Sequence, residues 1–417
     1  MDSIHIQGGI ALQGKVRIQG SKNAVLPIMA STLLTVEQSY LKNCPRIADV
    51  YAMVSLLKKL GCLVTWQEDG LLVDSSRVSR GAMRGEAVKG MRSSLCLLGA
   101  LLGRCGEAVL EYPGGCVIGE RPINLHLSAL GQMGVKFLEE EGVIHGVTER
   151  LHGAHITLPM PSVGATENII MTAVMAEDDT FIEGAAKEPE ITALCQYLTS
   201  CGAAIDGIGT DRLVIHGGKK LYGTVYTVPT DRIVAGTYLL ACVGVGGSVL
   251  LEGAPAQEME AVLELASRMG ASCWVTEEGI YVQASGRPKA VDRLTTLPYP
   301  GFPTDLQSAA LTALAVADGD SVIEESIFEN RFRMAKELNR MGANVEQLDA
   351  HCAVVHGVER LKCAEVDAME LRGGAALVIA GLMAQGETKV AGCPYIYRGY
   401  ENICRDFREL GARIVSV

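Results

Sequence analysis

The chain has 417 residues, of which 48% are hydrophobic and 20% charged, and it contains 47 glycines. This length and composition exclude a single small module and a disordered or fibrous protein, and they favour two or three globular domains. The net charge of -11 argues against a general binder of nucleic acid or acidic membranes. An anionic ligand therefore requires a local cluster of basic side chains.

The opening residues and the cysteines indicate the compartment. Residues 1–5 have no basic region followed by an apolar stretch, so no secretory signal is predicted. Thirteen cysteines are spread through the chain without CxxC pairs or zinc-ligand spacing. This pattern predicts reduced, mostly buried thiols in a cytoplasmic protein. No motif for a nicotinamide, ATP or metal site is present, so we expect no cofactor and no metal.

A three-residue motif recurs six times: a large apolar residue or Cys, then Gly, then a small residue. The spacings between its glycines are 73, 68, 68, 72 and 69 residues. Six modules of about seventy residues therefore account for the whole chain. The glycines are Gly61, Gly134, Gly202, Gly270, Gly342 and Gly411.

Each module has the same predicted elements. The chain opens with strands over residues 4–18, which could belong to either half of the protein. In each module the glycine follows a segment with helical apolar spacing, such as residues 53–60, and is predicted to cap that helix. A short strand follows, as at residues 63–66. A second helix, about thirty residues earlier, ends in a polar turn and a strand, as at residues 175–179.

One uncharged stretch has the length of a membrane span. Residues 233–251 carry no charge over nineteen positions. Gly246 and Gly247 lie where the other modules have their polar turn. We therefore predict a helix, a glycine turn and a strand, and no membrane span.

Each mixed α/β module is too small to bury its own apolar face, so the modules should pack around shared helices. Six modules group most simply as two domains of three, and an open solenoid is the weaker alternative. The segment at residues 229–232, with a proline and charges near the midpoint, predicts a crossover.

The loops before the capped helices contain several candidate functional residues. In the second module, three glycines flank Cys116 and precede Arg121, which is typical of a mobile loop from which a thiol reaches a ligand. Arg121 and Arg398 lie 13 residues before their cap glycines, and Arg331 lies 11 before its own. Guanidinium groups at one structural position would converge on one phosphate or carboxylate. The alternative for each is a solvated loop arginine.

Three other residues have two interpretations each. Lys22 stands where a strand turns into a helix. It is either a phosphate ligand at the helix N-terminus or a surface lysine beside an Asn cap. Arg92 begins an apolar helix, and an isolated basic residue there is more often a charged side chain at the rim of the protein core than a ligand. Asp305 is either the cap of a helix that starts near Leu306 or a carboxylate base, and capping is the commoner role.

Seven motifs in unbroken order closely resemble those of the UDP-N-acetylglucosamine enolpyruvyl transferases (1-carboxyvinyltransferases), and together they cover essentially the full chain. They are Gly-Ser-Lys-Asn near residue 20, Pro-Gly-Gly-Cys-x-Ile-Gly-x-Arg-Pro at 113–122, Ser-Val-Gly-Ala-Thr at 162–166, Phe-Pro-Thr-Asp at 302–305, Phe-Glu-Asn-Arg-Phe at 328–332, Leu-Arg at 371–372 and Arg-Gly-Tyr-Glu at 398–401.

The resemblance implies an α/β fold of two domains, each with three inverse α/β modules, a substrate cleft between them and the cysteine loop closing over it. The implied first domain is discontinuous, with residues 1–20 and 230–417, and includes Asp305 and the three later arginine loops. The implied second domain, residues 21–229, includes the Cys116 loop.

Members of this family transfer the enolpyruvyl group of phosphoenolpyruvate to the 3′-hydroxyl of UDP-N-acetylglucosamine and release phosphate, in the first committed step of peptidoglycan synthesis. The resemblance therefore implies two small-molecule substrates, with phosphoenolpyruvate as a co-substrate and no cofactor. Nucleic acid is not an expected partner.

The resemblance also implies residue roles. Cys116 would donate a proton to the methylene carbon of phosphoenolpyruvate, form a covalent adduct and be alkylated by the epoxide fosfomycin, while Asp305 would accept the proton of the sugar hydroxyl. Domain closure would position this acid and base and exclude water. Lys22, Arg121 and Arg398 would clamp the phosphate, with Arg92 and Arg372 as further donors.

The implied catalytic residues are Cys116, Asp305, Lys22 and Arg398. The implied substrate-binding residues are Lys22, Asn23, Arg92, Arg121, Pro122, Ile123, Asn124, Leu125, Ser162, Val163, Gly164, Asp305, Ile327, Arg331, Arg372 and Arg398.

The chain departs from the family pattern at four positions. Asn124 and Tyr397 stand where the family commonly has Asp, Met160 where some members have Lys, and Cys96 where some have Trp. The loss of a carboxylate at 397 would alter how Arg398 is oriented. Two alternatives stay open: transfer to another acceptor such as shikimate 3-phosphate, and a non-catalytic paralogue that binds the sugar nucleotide, supported only by Asn124 and Tyr397.

Overall fold

The computed structural model describes residues 3–114, 119 and 122–417. These residues form two compact units, each with its own hydrophobic core. The discontinuous unit contains residues 3–19, 119 and 230–417, and the inserted unit contains residues 20–114 and 122–229.

The strands, in chain order, are β1 (Ser3–Gln7), β2 (Leu12–Arg17), β3 (Gln38–Lys42), β4 (Leu63–Trp66), β5 (Gly70–Asp74), β6 (Ala82–Met83), β7 (Glu107–Glu111), β8 (Lys136–Glu140), β9 (Val143–Val147), β10 (His155–Thr157), β11 (Thr180–Glu183), β12 (Ala204–Asp206), β13 (Arg212–His216), β14 (Val225–Thr227), β15 (Gly247–Glu252), β16 (Ser272–Thr276), β17 (Gly279–Ala284), β18 (Arg293–Thr295), β19 (Asp320–Glu324), β20 (Asn344–Gln347), β21 (Cys352–His356), β22 (Glu365–Asp367), β23 (Glu387–Ala391) and β24 (Arg413–Ser416).

The helices are α1 (Lys22–Ser31), α2 (Ala48–Lys59), α3 (Glu86–Lys89), α4 (Cys96–Cys105), α5 (Asn124–Gln132), α6 (Val163–Ala173), α7 (Pro189–Ser200), α8 (Arg232–Val245), α9 (Glu260–Arg268), α10 (Gln307–Leu314), α11 (Ala335–Arg340), α12 (Leu371–Met383), α13 (Cys393–Ile396) and α14 (Ile403–Glu409). Short 3-10 helices cover Thr32–Leu34, Arg92–Leu95, Ala256–Glu258, Thr304–Leu306 and Arg331–Met334.

The strands of the described residues form six four-stranded sheets, three in each unit. In the discontinuous unit the strand orders are β22-β23-β1-β24, β16-β17-β15-β2 and β18-β19-β21-β20. In the inserted unit they are β14-β3-β5-β4, β6-β7-β9-β8 and β10-β11-β13-β12. Each sheet contains one parallel pair and two antiparallel pairs. The prediction of six repeated α/β modules, three per domain, is confirmed.

The opening strands, whose half the sequence left undecided, both pair within the discontinuous unit. Strand β1 lies antiparallel between β23 and β24, and β2 lies parallel to β15. The first residues of the chain therefore complete two sheets whose other strands come from its C-terminal half.

Inner helices fill the two cores. Helices α8, α10 and α12 pack against one another in the discontinuous unit, and α4 packs against α1 and α6 in the inserted unit. Small residues permit the close approach. A Cβ on Gly236 of α8 would lie 2.3 Å from Leu306, and one on Gly99 of α4 would lie 2.5 Å from the backbone oxygen of Asn168. Such helices are apolar over most of their surface because they are buried on all sides.

The six repeated glycines follow the outer helices α2, α5, α7, α9, α11 and α14. Their φ angles lie between +84° and +105°, in the left-handed region that favours glycine. The prediction that they cap these helices is confirmed.

The uncharged stretch forms α8, a turn and β15. Gly246 and Gly247 make the turn with φ angles of +85° and +133°. Among the residues that the structure describes, no helix is both long and apolar enough to cross a bilayer. The helix, turn and strand prediction is confirmed.

The two glycines near the end of α5 should respond oppositely to Ala. Gly134 has φ +95°, and a Cβ would lie 2.9 Å from the backbone oxygen of Arg150. We expect Gly134→Ala to destabilise the protein by about 1–2 kcal/mol. Gly131 is exposed within the helix with open space around a Cβ, so Gly131→Ala should stabilise by roughly 0.5–1 kcal/mol. Thermal melting by circular dichroism measures both, and equal shifts would contradict the cap assignment.

Candidate functional site

Asp305 in the discontinuous unit is held by two arginines. It lies in the 3-10 helix Thr304–Leu306, just before α10. Its Oδ1 accepts a hydrogen bond from Arg331 Nη2 at 2.5 Å, and its Oδ2 accepts from Arg372 Nη2 and Nε at 2.8 and 3.2 Å. The N-cap residues of these two helices are Pro303 and Leu306. The interpretation of Asp305 as the cap residue is therefore wrong, and its carboxylate has two charge-assisted partners.

Both arginines are buried, with side chains only 2% and 4% exposed for Arg331 and Arg372. Burial by itself lowers the pKa of Arg372, but the nearby charges, Asp305 foremost, raise it above its ordinary value. Of the three loop arginines expected to converge on one anion, Arg331 contacts this internal carboxylate together with Arg372, and the convergence with Arg121 and Arg398 stays a prediction. Arg372 Nη1 is also buried and finds no hydrogen-bond partner among the described residues, so its two N–H groups are left for an added acceptor.

Two buried glutamates support this cluster. Glu370 precedes α12, accepts from the backbone N–H groups of Arg372 and Gly373, and lies 4.0 Å from Arg331 Nη1. Glu325 accepts from Thr304 Oγ1 at 2.9 Å and from the backbone N–H of Ile327, also at 2.9 Å. Sequence reasoning missed both glutamates, because an acidic residue at a strand end or before a helix is indistinguishable from a solvated one.

Arg398 lies half-buried in the turn after α13, and its backbone N–H donates to Tyr395 O at 3.3 Å. The adjoining segment is anchored to the core: the Tyr400 hydroxyl is 2.8 Å from Thr237 Oγ1 on α8, and Arg372 lies 5.9 Å from the Tyr400 ring centre. Burial raises the pKa of Tyr397, the residue that departs from the family pattern, to about 12.

Lys22 is the first residue of α1 in the inserted unit. Ser21 caps this helix by accepting from Ala24 N at 3.3 Å. Lys22 Nζ lies 3.7 Å from Asp49 Oδ2, with the lysine side chain 13% exposed. The interpretation of a surface lysine beside an Asn cap is therefore wrong. Asn23 instead donates from Nδ2 to Glu190 Oε1 at 3.5 Å.

A thiol and a carboxyl group form a buried pair between α4 and α6. Cys96 Sγ donates to Glu167 Oε2 at 3.1 Å, and both residues are buried. Burial raises the pKa of Glu167 to about 8, so this carboxyl group is mostly protonated at neutral pH. No sequence pattern indicates this contact, because the two residues lie on separate helices.

The segments matched to sugar-nucleotide binding meet at His126. Ser162 caps α6 by accepting from Ala165 N at 3.4 Å, and a Cβ on Gly164 would lie 3.1 Å from His126 Cε1. His126 itself lies in the first turn of α5, which begins at Asn124. Burial, and then the charge of Arg92, lower the pKa of His126 to about 4, so the ring is neutral. Sequence reasoning missed His126.

The remaining members of the predicted set differ in exposure. Pro122 and Asn124 are exposed, Ile123 is buried, and Leu125 and Val163 are half-buried. Arg92, also half-buried, begins the 3-10 helix that leads into α4. Cys116 and Arg121 lie outside the described residues, and their roles stay predictions.

Comparison with known proteins gives consistent matches over the full chain. Residues 6–407 match the EPSP synthase (3-phosphoshikimate 1-carboxyvinyltransferase) family. The UDP-N-acetylglucosamine 1-carboxyvinyltransferase of Shewanella amazonensis is 46% identical over 419 residues, covering 100% of both chains. UDP-N-acetylglucosamine 1-carboxyvinyltransferase 2 of Caldanaerobacter subterraneus subsp. tengcongensis is 44% identical over 417 residues, again covering 100% of both.

Two solved structures share the fold. The enolpyruvyl transferase NikO from Streptomyces tendae superposes with a TM-score of 0.87 at 23% identity, over 99% of this chain and 98% of that one. An EPSP synthase from Acinetobacter baumannii superposes with a TM-score of 0.76 at 19% identity, over 100% and 99%.

Removing the Asp305 charge should leave two buried guanidinium groups without their main counter-ion. We expect Asp305→Asn to destabilise the protein by about 3 kcal/mol. Because sulfate can replace the lost carboxylate, added sodium sulfate should raise the melting temperature of Asp305→Asn more than that of the parent. Asp292→Asn, at an exposed position of the same unit, is the matched control. Equal sulfate effects in all three proteins would contradict this arrangement.

The raised pKa of Glu167 predicts a pH dependence of stability. The folded-state pKa of about 8 exceeds the ordinary value of 4.5, so the stabilisation is complete at low pH and is lost as pH rises from 4.5 through 8. The melting temperature of Glu167→Gln relative to the parent should therefore increase from pH 5 to pH 9. Glu183→Gln, at an exposed position of β11, is the control. Parallel curves for Glu167→Gln and the parent would show that Glu167 ionises normally.

Proposed function

The chain belongs to the EPSP synthase family of enolpyruvyl transferases, and we propose that it transfers the enolpyruvyl group of phosphoenolpyruvate to UDP-N-acetylglucosamine and releases phosphate. The observation that carries this proposal is the identity of 42–46%, over 99–100% of this chain, with relatives named UDP-N-acetylglucosamine 1-carboxyvinyltransferase. The acceptor group is the 3′-hydroxyl of the sugar, and the product enters peptidoglycan synthesis.

Asp305 is the proposed base. Its side chain is 24% exposed, so a hydroxyl group can reach it. Arg331 and Arg372 orient the carboxylate through fixed guanidinium hydrogen bonds.

Basic side chains support the binding of two anionic substrates by a protein of net charge -11. Lys22 lies at the N-terminus of the ten-residue helix α1, where unpaired backbone N–H groups favour anions. We assign Lys22, Arg121 and Arg398 to the transferred phosphate. Arg92 and Arg372 act as further donors, and the unpartnered Nη1 of Arg372 supports its assignment. Asp49 holds the Lys22 ammonium in place.

In the addition step, the Cys116 thiol gives its proton to the methylene carbon of phosphoenolpyruvate, and the carbon next to it becomes oxocarbenium-like. The sugar oxygen bonds to that carbon, and its proton passes to Asp305. In the elimination step, the new methyl group returns a proton to the Cys116 thiolate as the C–O bond to phosphate breaks. Phosphate leaves with the proton held by Asp305. No cofactor enters this scheme.

We also propose a cytoplasmic location. The cysteines in the described part of the chain are free thiols, most of them buried, as expected for a protein of a reducing compartment. The substrates proposed above are small anions, and nucleic acid is not a proposed partner.

The decisive assay is phosphate release from phosphoenolpyruvate. We expect release with UDP-N-acetylglucosamine and none with shikimate 3-phosphate or without acceptor. Cys116→Ser and Asp305→Ala should each reduce the rate at least about 100-fold, because each removes a proton-transfer group. Asp292→Ala, at an exposed position of the discontinuous unit, should keep the parent rate.

Retained nucleotide binding, measured by calorimetry, would show that each inactive variant is still folded. Release with shikimate 3-phosphate alone would replace the proposed acceptor. Tight nucleotide binding by the parent protein without phosphate release would identify a non-catalytic paralogue.

A further inference from the structure

Asn168 is a fully buried amide at the meeting point of three helices of the inserted unit. Its Oδ1 accepts from Gly99 N at 2.7 Å, and its Nδ2 donates to Leu95 O at 3.1 Å. A backbone N–H can only donate and a backbone carbonyl can only accept. These two contacts therefore fix which end of the amide is oxygen and which is nitrogen.

The remaining N–H of Asn168 decides the protonation of a histidine. Asn168 Nδ2 lies 2.9 Å from His126 Nδ1 on α5. Because the amide nitrogen is a donor, His126 Nδ1 must be the acceptor, and in a neutral ring the proton then lies on Nε2. His126 is neutral for the reasons given above: it is only 5% exposed and Arg92 lies close by.

The Nε2 edge of His126 faces the start of α6. A Cβ on Gly164 would lie 3.1 Å from Cε1 and 3.5 Å from Nε2, so a side chain at position 164 would crowd this edge of the ring. Among the described residues, no hydrogen bond to Nε2 is found. Within that part of the chain, His126 therefore presents a neutral N–H donor without a protein acceptor, beside the segment 162–164 that matches sugar-nucleotide binding.

We propose that Asn168 is a positioning residue for the sugar nucleotide: it holds His126 in the Nε2–H form, so that the ring donates a hydrogen bond to an acceptor oxygen of the nucleotide. This inference rests on the proposed function for the identity of the ligand. Asn168 acts through His126 and touches no substrate itself.

The ionisable groups around His126 lie before α4, on α6 and on the strands that pack against α5. Arg92, which precedes α4, is the one whose charge lowers the pKa of the ring. Glu167, the neighbour of Asn168 on α6, bonds to Cys96 on α4 instead. The ionisable side chains on the strands that pack against α5 are exposed to solvent; they are Lys136, Glu139, Glu140 and His155.

Asn168→Asp is the informative substitution because it nearly preserves shape while removing both hydrogen-bond donors of the amide. The introduced carboxylate still accepts from Gly99 N, but it can no longer donate to Leu95 O or to His126 Nδ1. The neutral ring then places its proton on Nδ1, toward the new carboxylate, and Nε2 becomes an acceptor. The new negative charge also raises the pKa of His126.

The expected result is a pH-dependent loss of nucleotide affinity. At pH 9, the KM for UDP-N-acetylglucosamine and its calorimetric Kd should rise at least about 10-fold in Asn168→Asp, with a smaller change in kcat, because two acceptors then face each other. As pH falls through the raised pKa, the imidazolium carries both protons and the affinity recovers relative to the parent.

Thr172→Val is the matched control. Thr172 Oγ1 donates to Gly99 O at 3.2 Å, so this variant also removes a buried hydrogen bond between α4 and α6. It leaves the Asn168–His126 contact intact. Its ratio of Kd to that of the parent should not change with pH.

A direct test needs neither turnover nor a variant of Asn168. Long-range 1H–15N spectra of the ligand-free parent, with the His126 signals assigned by their loss in His126→Gln, should show the Nε2–H form. The Nδ1–H form would overturn the proposal even if Asn168→Asp failed to fold. A pH-independent Kd ratio for Asn168→Asp would also overturn it, leaving Asn168 a purely structural role.

These readouts separate this inference from the proposed function. If phosphate release fails while the parent binds the nucleotide, the transferase proposal fails and the Kd and spectra still decide the role of Asn168. If the parent does not bind UDP-N-acetylglucosamine, the positioning role for that ligand is overturned.

Discussion

The burial of inner helices on all sides is the constraint on which the rest of this structure depends. A single module has one sheet and cannot cover its inner helix, so three modules must enclose three such helices together. This requirement explains the glycines where α8 meets Leu306 and where α4 meets α6. It also explains why β1 and β2 join sheets made by the other end of the chain.

The same constraint accounts for the position of the candidate site residues. The first turn of a buried helix leaves backbone N–H groups without partners, and these require an anion or a polar cap. Ser21, Ser162 and Glu370 supply caps for α1, α6 and α12. Lys22 and Asp305 lie at or just before the first turns of such helices, where charge can be held without disturbing the apolar packing farther along.

Three groups of buried polar side chains are matched so that hydrogen-bond donors meet acceptors. Asp305 accepts hydrogen bonds from two guanidinium groups, and Glu167 accepts one from the Cys96 thiol. Asn168 accepts from a backbone N–H of α4 and donates to His126 Nδ1. In a medium of low dielectric constant, an unmatched group would cost several times what a matched one contributes. The chemistry that a site can perform is therefore set partly by groups that never touch a ligand.

The sequence by itself determined the six-fold repeat, the outer helices, the strands after them and the α8 turn, because these depend on local requirements: apolar periodicity and a glycine where φ is positive. It also placed Lys22, Asp305 and the arginines in the candidate set through ordered motifs. Only the tertiary structure decided what Asp305 contacts, how the opening strands pair, and that His126 meets Asn168. The partners in these contacts lie 67 residues apart for Asp305 and Arg372, and 42 for His126 and Asn168. Local sequence propensity cannot predict such pairs, because the packing of separate helices brings them together.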